Sequence, residues 1–379
     1  MSVLSEEMLA NLMNVDFSFL VKVMMPIIIL NISSNIAGKK YLKYKLQKDF
    51  KPTDISKITL PPKLDQKYSE VDIEKLVEFE YLEILISFVN YIEENFSNCD
   101  LTNFYNNINE LKTKEKEFIL TELLTIKTPG GTYKPKSNVI SLHKDLSFES
   151  INPILFHELF HMASSVYDNG ISYIGFSQKN HKEGTWRIGD GINEGYTELL
   201  RRRACDEKKE LTTINYNVSV EIVKRLEEIV GKDRMQQLYF KADLPGLIKE
   251  LEKYSTEDEI AQFISGTDFI YNKIEARNID DNIIEMIRES FKNVYEYMFK
   301  ALVRKEKLNY EDGLIDEKEL VKIIADKVMK YEKDHYIDYK YYICITRDTM
   351  KEIVKSTLGE DFMKKVNEEN ENSYPFWGI

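Results

Sequence analysis

Residues 147–165 read SFESINPILFHELFHMASS, and the fold of the chain turns on this stretch. It predicts a helix from Ser147 to Ser165: Ser147 is a residue type that caps, Pro153 is tolerated early, and Asp168-Asn169-Gly170 is a stop signal. Ile154, Leu155, Met162, Ala163 and Val166 flank an inner His157-Glu158-Leu159-Phe160-His161 string with apolar surface. Residues four apart lie one turn above another on one helix face, so the imidazoles of His157 and His161 can close on a single point.

An HExxH string on an apolar helix has a direct chemical reading. Two imidazoles at that spacing suit one zinc ion, which tolerates four ligands and leaves a position for water. Glu158 is rotated off the histidine pair, so its carboxylate can reach that water without ligating the metal, as a general base requires. The bland alternative is a pair of capping or surface histidines on a core helix. A downstream feature weighs against it. Ile192-Asn193-Glu194-Gly195-Tyr196-Thr197-Glu198 sets two carboxylates four apart on a second short helix, Ile192 to Arg203. Glu194 is the candidate third ligand, and Glu198 the group that accepts the far N–H of a ligand histidine. Without a metal, the two like charges repel across one turn and need a cation such as Arg201 or Arg202.

HELFH followed by INEGYTE resembles the gluzincin division of zinc metallopeptidases, over about residues 130–205. The resemblance implies His157, His161 and Glu194 as zinc ligands, Glu158 as general base and Glu198 as the acid behind a ligand histidine. It also implies that the stretch Asn138 to Leu142 is an edge strand, able to pair with an extended peptide. Two departures stand out. Thirty-two residues separate His161 from Glu194, so an insertion carrying Tyr173 and His181 must lie between the helices. The segment before the motif, Gly130 to Lys144, has no acid to bind a free amine, so exopeptidase activity is not implied. Tyr173, His181, Tyr196 and His335 are the candidates for an oxyanion donor, and none is singled out.

The rest of the chain sets bounds. With 52 Lys+Arg against 64 Asp+Glu in 379 residues, the net charge of -12 disfavours nucleic acid as a partner. Cys99, Cys205 and Cys344 form no CxxC pair, which excludes a cysteine zinc site and fits a reducing compartment. Phe17 to Leu30 is apolar but broken by Lys22 and Pro26. A buried element is its preferred reading, with a membrane anchor through residues 17–37 the alternative; the corresponding expectation is a cytoplasmic protein. LNYEDGLIDEKE (Leu308 to Glu319) imitates a calcium loop but has Leu308 and Tyr310 where oxygen ligands are required; Asp316 with Glu319 instead reads as a helix cap.

The expected architecture is α+β and predominantly helical: a zincin-like catalytic core with a short β-sheet and two metal-bearing helices. Four regions are expected: an N-terminal segment (1–67) with a surface-crossing Pro-containing stretch from Lys51 to Lys67; a helical region (68–127); the core (128–207); and a helical C-terminal region (208–379) with breaks at Asp243 to Gly246 and Asn309 to Asp316. The expected activity is zinc-dependent hydrolysis of peptide bonds in a peptide or protein substrate. The alternatives are a catalytically inactive metalloprotease-like binding or regulatory protein, and a helical interaction protein with a chance HExxH. The oligomeric state is left open.

Overall fold

A computed structural model describes residues 53–72, 81–116, 130–143, 148–182, 186–205, 214–274, 281–333 and 345–373, all within the unit formed by residues 52–379. The apolar stretch 17–30, the proposed cap Ser147 and His335 fall outside these residues.

Helices α1 (Leu82–Asn95) and α2 (Thr102–Ile108) form the floor on which the HExxH helix rests. α1 buries Ile84, Leu85, Phe88, Val89 and Ile92, the three- and four-residue steps of an amphipathic helix. Phe88 is fully buried and meets Phe104, Phe156 and Phe160 edge to face, with the Phe160 ring at 5.0 Å. Each such ring contributes roughly 1.5–3 kcal/mol by leaving water. Phe156 and Phe160 belong to α3 (Phe148–Ala163), so the apolar back of the motif helix is pinned and its histidine face is presented to the other side.

α3 departs from expectation in two places. Pro153 is its sixth residue, past the first turn, and removes one N–H from the helical ladder. The helix ends at Ala163, earlier than Asp168-Asn169-Gly170 suggested: Ser164 donates its hydroxyl back to the Phe160 carbonyl at 2.9 Å, and the following residues leave as a strand. Asn169-Gly170 is instead a two-residue hairpin turn, with φ of 48° and 82°, a conformation that Asn and Gly tolerate.

Two small sheets flank the motif helix. β1 (Lys112–Lys116), β3 (Val139–His143) and β2 (Gly131–Lys134) form one, with β3 in the middle, parallel to β1 and antiparallel to β2. The stretch from Asn138 to Leu142 is therefore the central strand, and β2 and β1 are the edges. β1 also corrects the helical reading of residues 68–127. Lys112-Thr113-Lys114-Glu115-Lys116 has no apolar residue, so neither periodicity marks it, and pairing with β3 decides its conformation. The second sheet is an antiparallel meander of β4 (Ser165–Asp168), β5 (Ile171–Ile174), β6 (Ser177–Asn180) and β7 (Arg187–Ile188). This meander is the insertion between the two motif-bearing helices.

α4 (Asp190–Ala204) carries Glu194 and Glu198 and is largely buried. A Cβ on Gly191 would stand 2.4 Å from the Thr267 carbonyl oxygen, and one on Gly195 2.5 Å from that of Ser219. Only glycine lets α5 (Ile214–Val230) and α8 (Glu257–Ile274) approach so closely. Between these two lie α6 (Lys232–Phe240) and α7 (Leu244–Leu251), the latter capped by Asp243 at the expected break. α9 (Asp281–Glu311), α10 (Glu317–Lys333), α11 (Arg347–Leu358) and α12 (Glu360–Ser373) complete the helical part. Leu308 and Tyr310 lie within α9, and Asp316 accepts from the Glu319 N–H at 2.8 Å, a cap rather than a cation loop.

The chain is thus mostly helical with two small sheets, an α+β arrangement. Residues 53–72 cross its surface with only a 3₁₀ turn at Ile55–Lys57. Side-chain amides hold this segment by its backbone: Gln178 by Thr59, Asn106 by Asp65 and Lys67, and Asn109 by Glu70 and Asp72. Among the described residues, no helix is long and apolar enough to cross a membrane.

Candidate metal centre

The two motif helices bring His157, His161 and Glu194 together, with one potential ligand atom of each within 4.8 Å of the others. Nε2 of His157 lies 3.1 Å from Nε2 of His161 and 3.3 Å from a Glu194 carboxylate oxygen; His161 Nε2 lies 3.5 Å from the other Glu194 oxygen. Ligand atoms held about 2.0–2.1 Å from a tetrahedral zinc stand about 3.3–3.4 Å apart. The His157–His161 separation and that from His157 to its nearer Glu194 oxygen, 3.1 and 3.3 Å, are close to that spacing.

The proton inventory of the cluster points the same way. Nδ1 of His157 faces Glu198 at 3.4 Å, and a carboxylate can only accept, so this nitrogen carries the hydrogen. Its Nε2 is then a bare lone pair facing a second imidazole nitrogen and a carboxylate. Unless His161 carries its hydrogen on Nε2 or His157 takes a second proton, such a set is mutually repulsive without a cation among the three. In the metal-free protein the proton serves: burial opposes the charge, but Glu194 and Glu198 outweigh it and hold His157 up to about 10. Burial likewise pushes Glu194 up, and His161 and His157 more than reverse this, leaving its carboxyl well below the usual range. The donor set of two imidazoles and one carboxylate therefore fits a divalent metal ion.

Glu198 is fully buried, and it divides from Glu194 in its partners. Arg201 grips it with two hydrogen bonds of 2.8 and 2.7 Å, and Arg202 adds one of 2.9 Å. Burial raises its carboxyl, but His157 and Arg201 bring it down to about 2. The like charges on α4 are thus resolved by separate partners: the arginines take Glu198, and the histidines take Glu194. The helix is held in place by Glu227 of α5, which receives two hydrogen bonds from Arg203 and one from Tyr196.

Glu158 is buried beside the histidines, at 8% exposure. Burial raises its carboxyl above the ordinary value, against the pull of His161 and His157, while the backbone N–H of Tyr133 donates to it. Gly131 makes this approach of β2 feasible: a Cβ there would stand 2.9 Å from Glu158 Cγ and from Ile154. Around His161 stand Thr197 Oγ1 and Asn193 Nδ2, at 3.4 and 3.5 Å from Nδ1.

The described candidates for an oxyanion donor are engaged elsewhere. Tyr196 OH donates to Glu227, Tyr173 OH shares a hydrogen bond with Thr59, and His181 Nε2 lies 2.8 Å from Ser172 Oγ. Sequence reasoning missed Gly131 and Tyr133, which carry no chemistry of their own. It also missed Asp268 of α8, which accepts from the Gly189 and Gly191 N–H groups at 2.8 Å and fixes the start of α4. No local pattern marks that partner; only the tertiary contact does.

No protein-family model, curated protein or solved structure matches the chain.

Proposed function

We propose that the chain is a zinc-dependent metallopeptidase of gluzincin type, and that this centre hydrolyses peptide bonds. The observation that carries the reading is the convergence of two imidazole nitrogens and a carboxylate, with the buried Glu158 beside them. His157, His161 and Glu194 would hold the ion. When bound, zinc supplies an acidified water and a polarising charge for the scissile carbonyl.

The chain's own groups perform the remaining steps. Glu158, raised by burial towards the range of a general base, takes a proton from the attacking water and later delivers it to the leaving amine. Glu198 keeps the hydrogen of His157 on Nδ1, so that Nε2 remains a ligand, and the two arginines keep Glu198 ionised. β2, rather than the stretch Asn138 to Leu142, is the edge strand beside Glu158 and supports docking of an extended peptide.

The test is hydrolysis of casein and a panel of quenched peptides by the zinc-loaded protein, with and without a chelator. Cleavage that stops with chelation and returns with zinc is the expected outcome. A folded, zinc-loaded protein that cleaves nothing would leave the alternative, a metalloprotease-like binding protein without turnover.

A further inference from the structure

Arg187 begins the two-residue strand β7, three residues before the first residue of α4. Its Nε donates to Asp190, a carboxylate only 3% exposed that also accepts from Ser177 Oγ at 2.6 Å. Among the described residues, the side chain is anchored at that edge alone. Its Nη groups make no hydrogen bond to a described residue, and the side chain is 51% exposed. The contrast within α4 is informative: Arg201, the structural partner of Glu198, turns both Nε and Nη2 onto its carboxylate and is 1% exposed.

The position of this free edge matters. Asp190 and Glu194 are one turn apart on one face of α4, so the anchor of Arg187 lies directly before the third metal-binding residue. Burial disfavours the guanidinium charge, and the carboxylates of Asp190 and Glu194 outweigh it, as their proximity requires. His157, Glu158 and His161 are buried, while Glu194 is partly exposed. A guanidinium tied at Nε presents its two Nη groups as a planar fork, which matches a carboxylate better than any other peptide group.

We propose that Arg187 is a specificity-determining residue of this site, binding a substrate carboxylate: the C-terminal carboxylate of a short peptide, or an Asp or Glu side chain close to the scissile bond. This rests on the peptidase reading for the word substrate, and its test is separable from that reading. Zinc-loaded Glu158→Gln protein, which binds without cleaving, is titrated calorimetrically with four peptides. These are a short peptide acid, its C-terminal amide, and two amidated peptides differing by Asp or Asn beside the central bond. One of the two pairs is expected to favour the carboxylate by about tenfold or more. The pair that does so names the source. Arg187→Gln is expected to bring that ratio close to one. Arg187→Lys, which keeps a cation beside Asp190 and serves where the Gln variant does not fold, should lower it several-fold. Ratios near one in the parent, ratios unmoved by either substitution, or no peptide binding at all overturn the assignment. A charge preference in binding, with no cleavage when Glu158 is intact, removes the peptidase reading and leaves Arg187 as an anion-binding residue.

Discussion

Replacing Glu158 by Gln is expected to lower peptide hydrolysis by about 10²- to 10⁴-fold while leaving metal content unchanged. The substitution keeps the side-chain volume, so the close packing against Gly131 survives, and the amide oxygen still accepts from the Tyr133 N–H. What is lost is the ability to take a proton. Glu158 is adjacent in sequence to His157 but is not itself part of the converging triad, which is why proton transfer and metal content are expected to separate in this variant. Steady-state kinetics beside elemental analysis of the same preparation make the comparison. A variant that hydrolyses within a few-fold of the parent removes Glu158 from the mechanism; a variant that loses its metal shows that Glu158 acts through the centre's assembly instead.

Glu198→Ala is expected to cost about 3–5 kcal/mol of stability, because it strands the buried Arg201 without its carboxylate. It also removes the acceptor at His157 Nδ1, and loss of such a partner typically weakens metal affinity by about 10–100-fold. Denaturant unfolding of the metal-free protein isolates the first effect, and metal titration the second. The pH dependence carries the same signature. The carboxyl is held at about 2 in the fold against an ordinary value of 4.5, so its stabilisation is complete above about pH 4.5 and is lost as pH falls towards 2. The stability lost by the variant should therefore shrink on acidification through that window. A variant as stable as its parent at neutral pH contradicts the role given to the Glu198–Arg201 pair.

Residues whose chemistry is local to one helix are legible from the chain alone. His157 with His161, and Glu194 with Glu198, are each one turn apart, and a 3.6-residue period places each pair on one face before any packing is known. Their arrangement in space follows the expectation: His157, His161 and Glu194 converge, and Glu198 stands behind His157. Strand order is a different kind of information. β3 reads correctly as a strand, yet its place between β1 and β2 depends on Lys112 to Lys116, a charged segment whose pairing no local pattern reveals. Asn169-Gly170 illustrates a further ambiguity, since the same dipeptide ends helices and turns hairpins, and the choice here follows from β4 finding β5. The link between Asp268 and the start of α4 spans too much sequence for any motif to record.

Metal content tests most directly whether one divalent ion is held between helices α3 and α4. Purified protein, dialysed free of excess metal and analysed for elements, should carry one zinc per chain. His161→Ala, made and analysed in parallel, should carry none while retaining its helical signal. A folded parent protein with no zinc that takes up none on titration, or a His161→Ala variant that binds zinc as the parent does, contradicts the assignment.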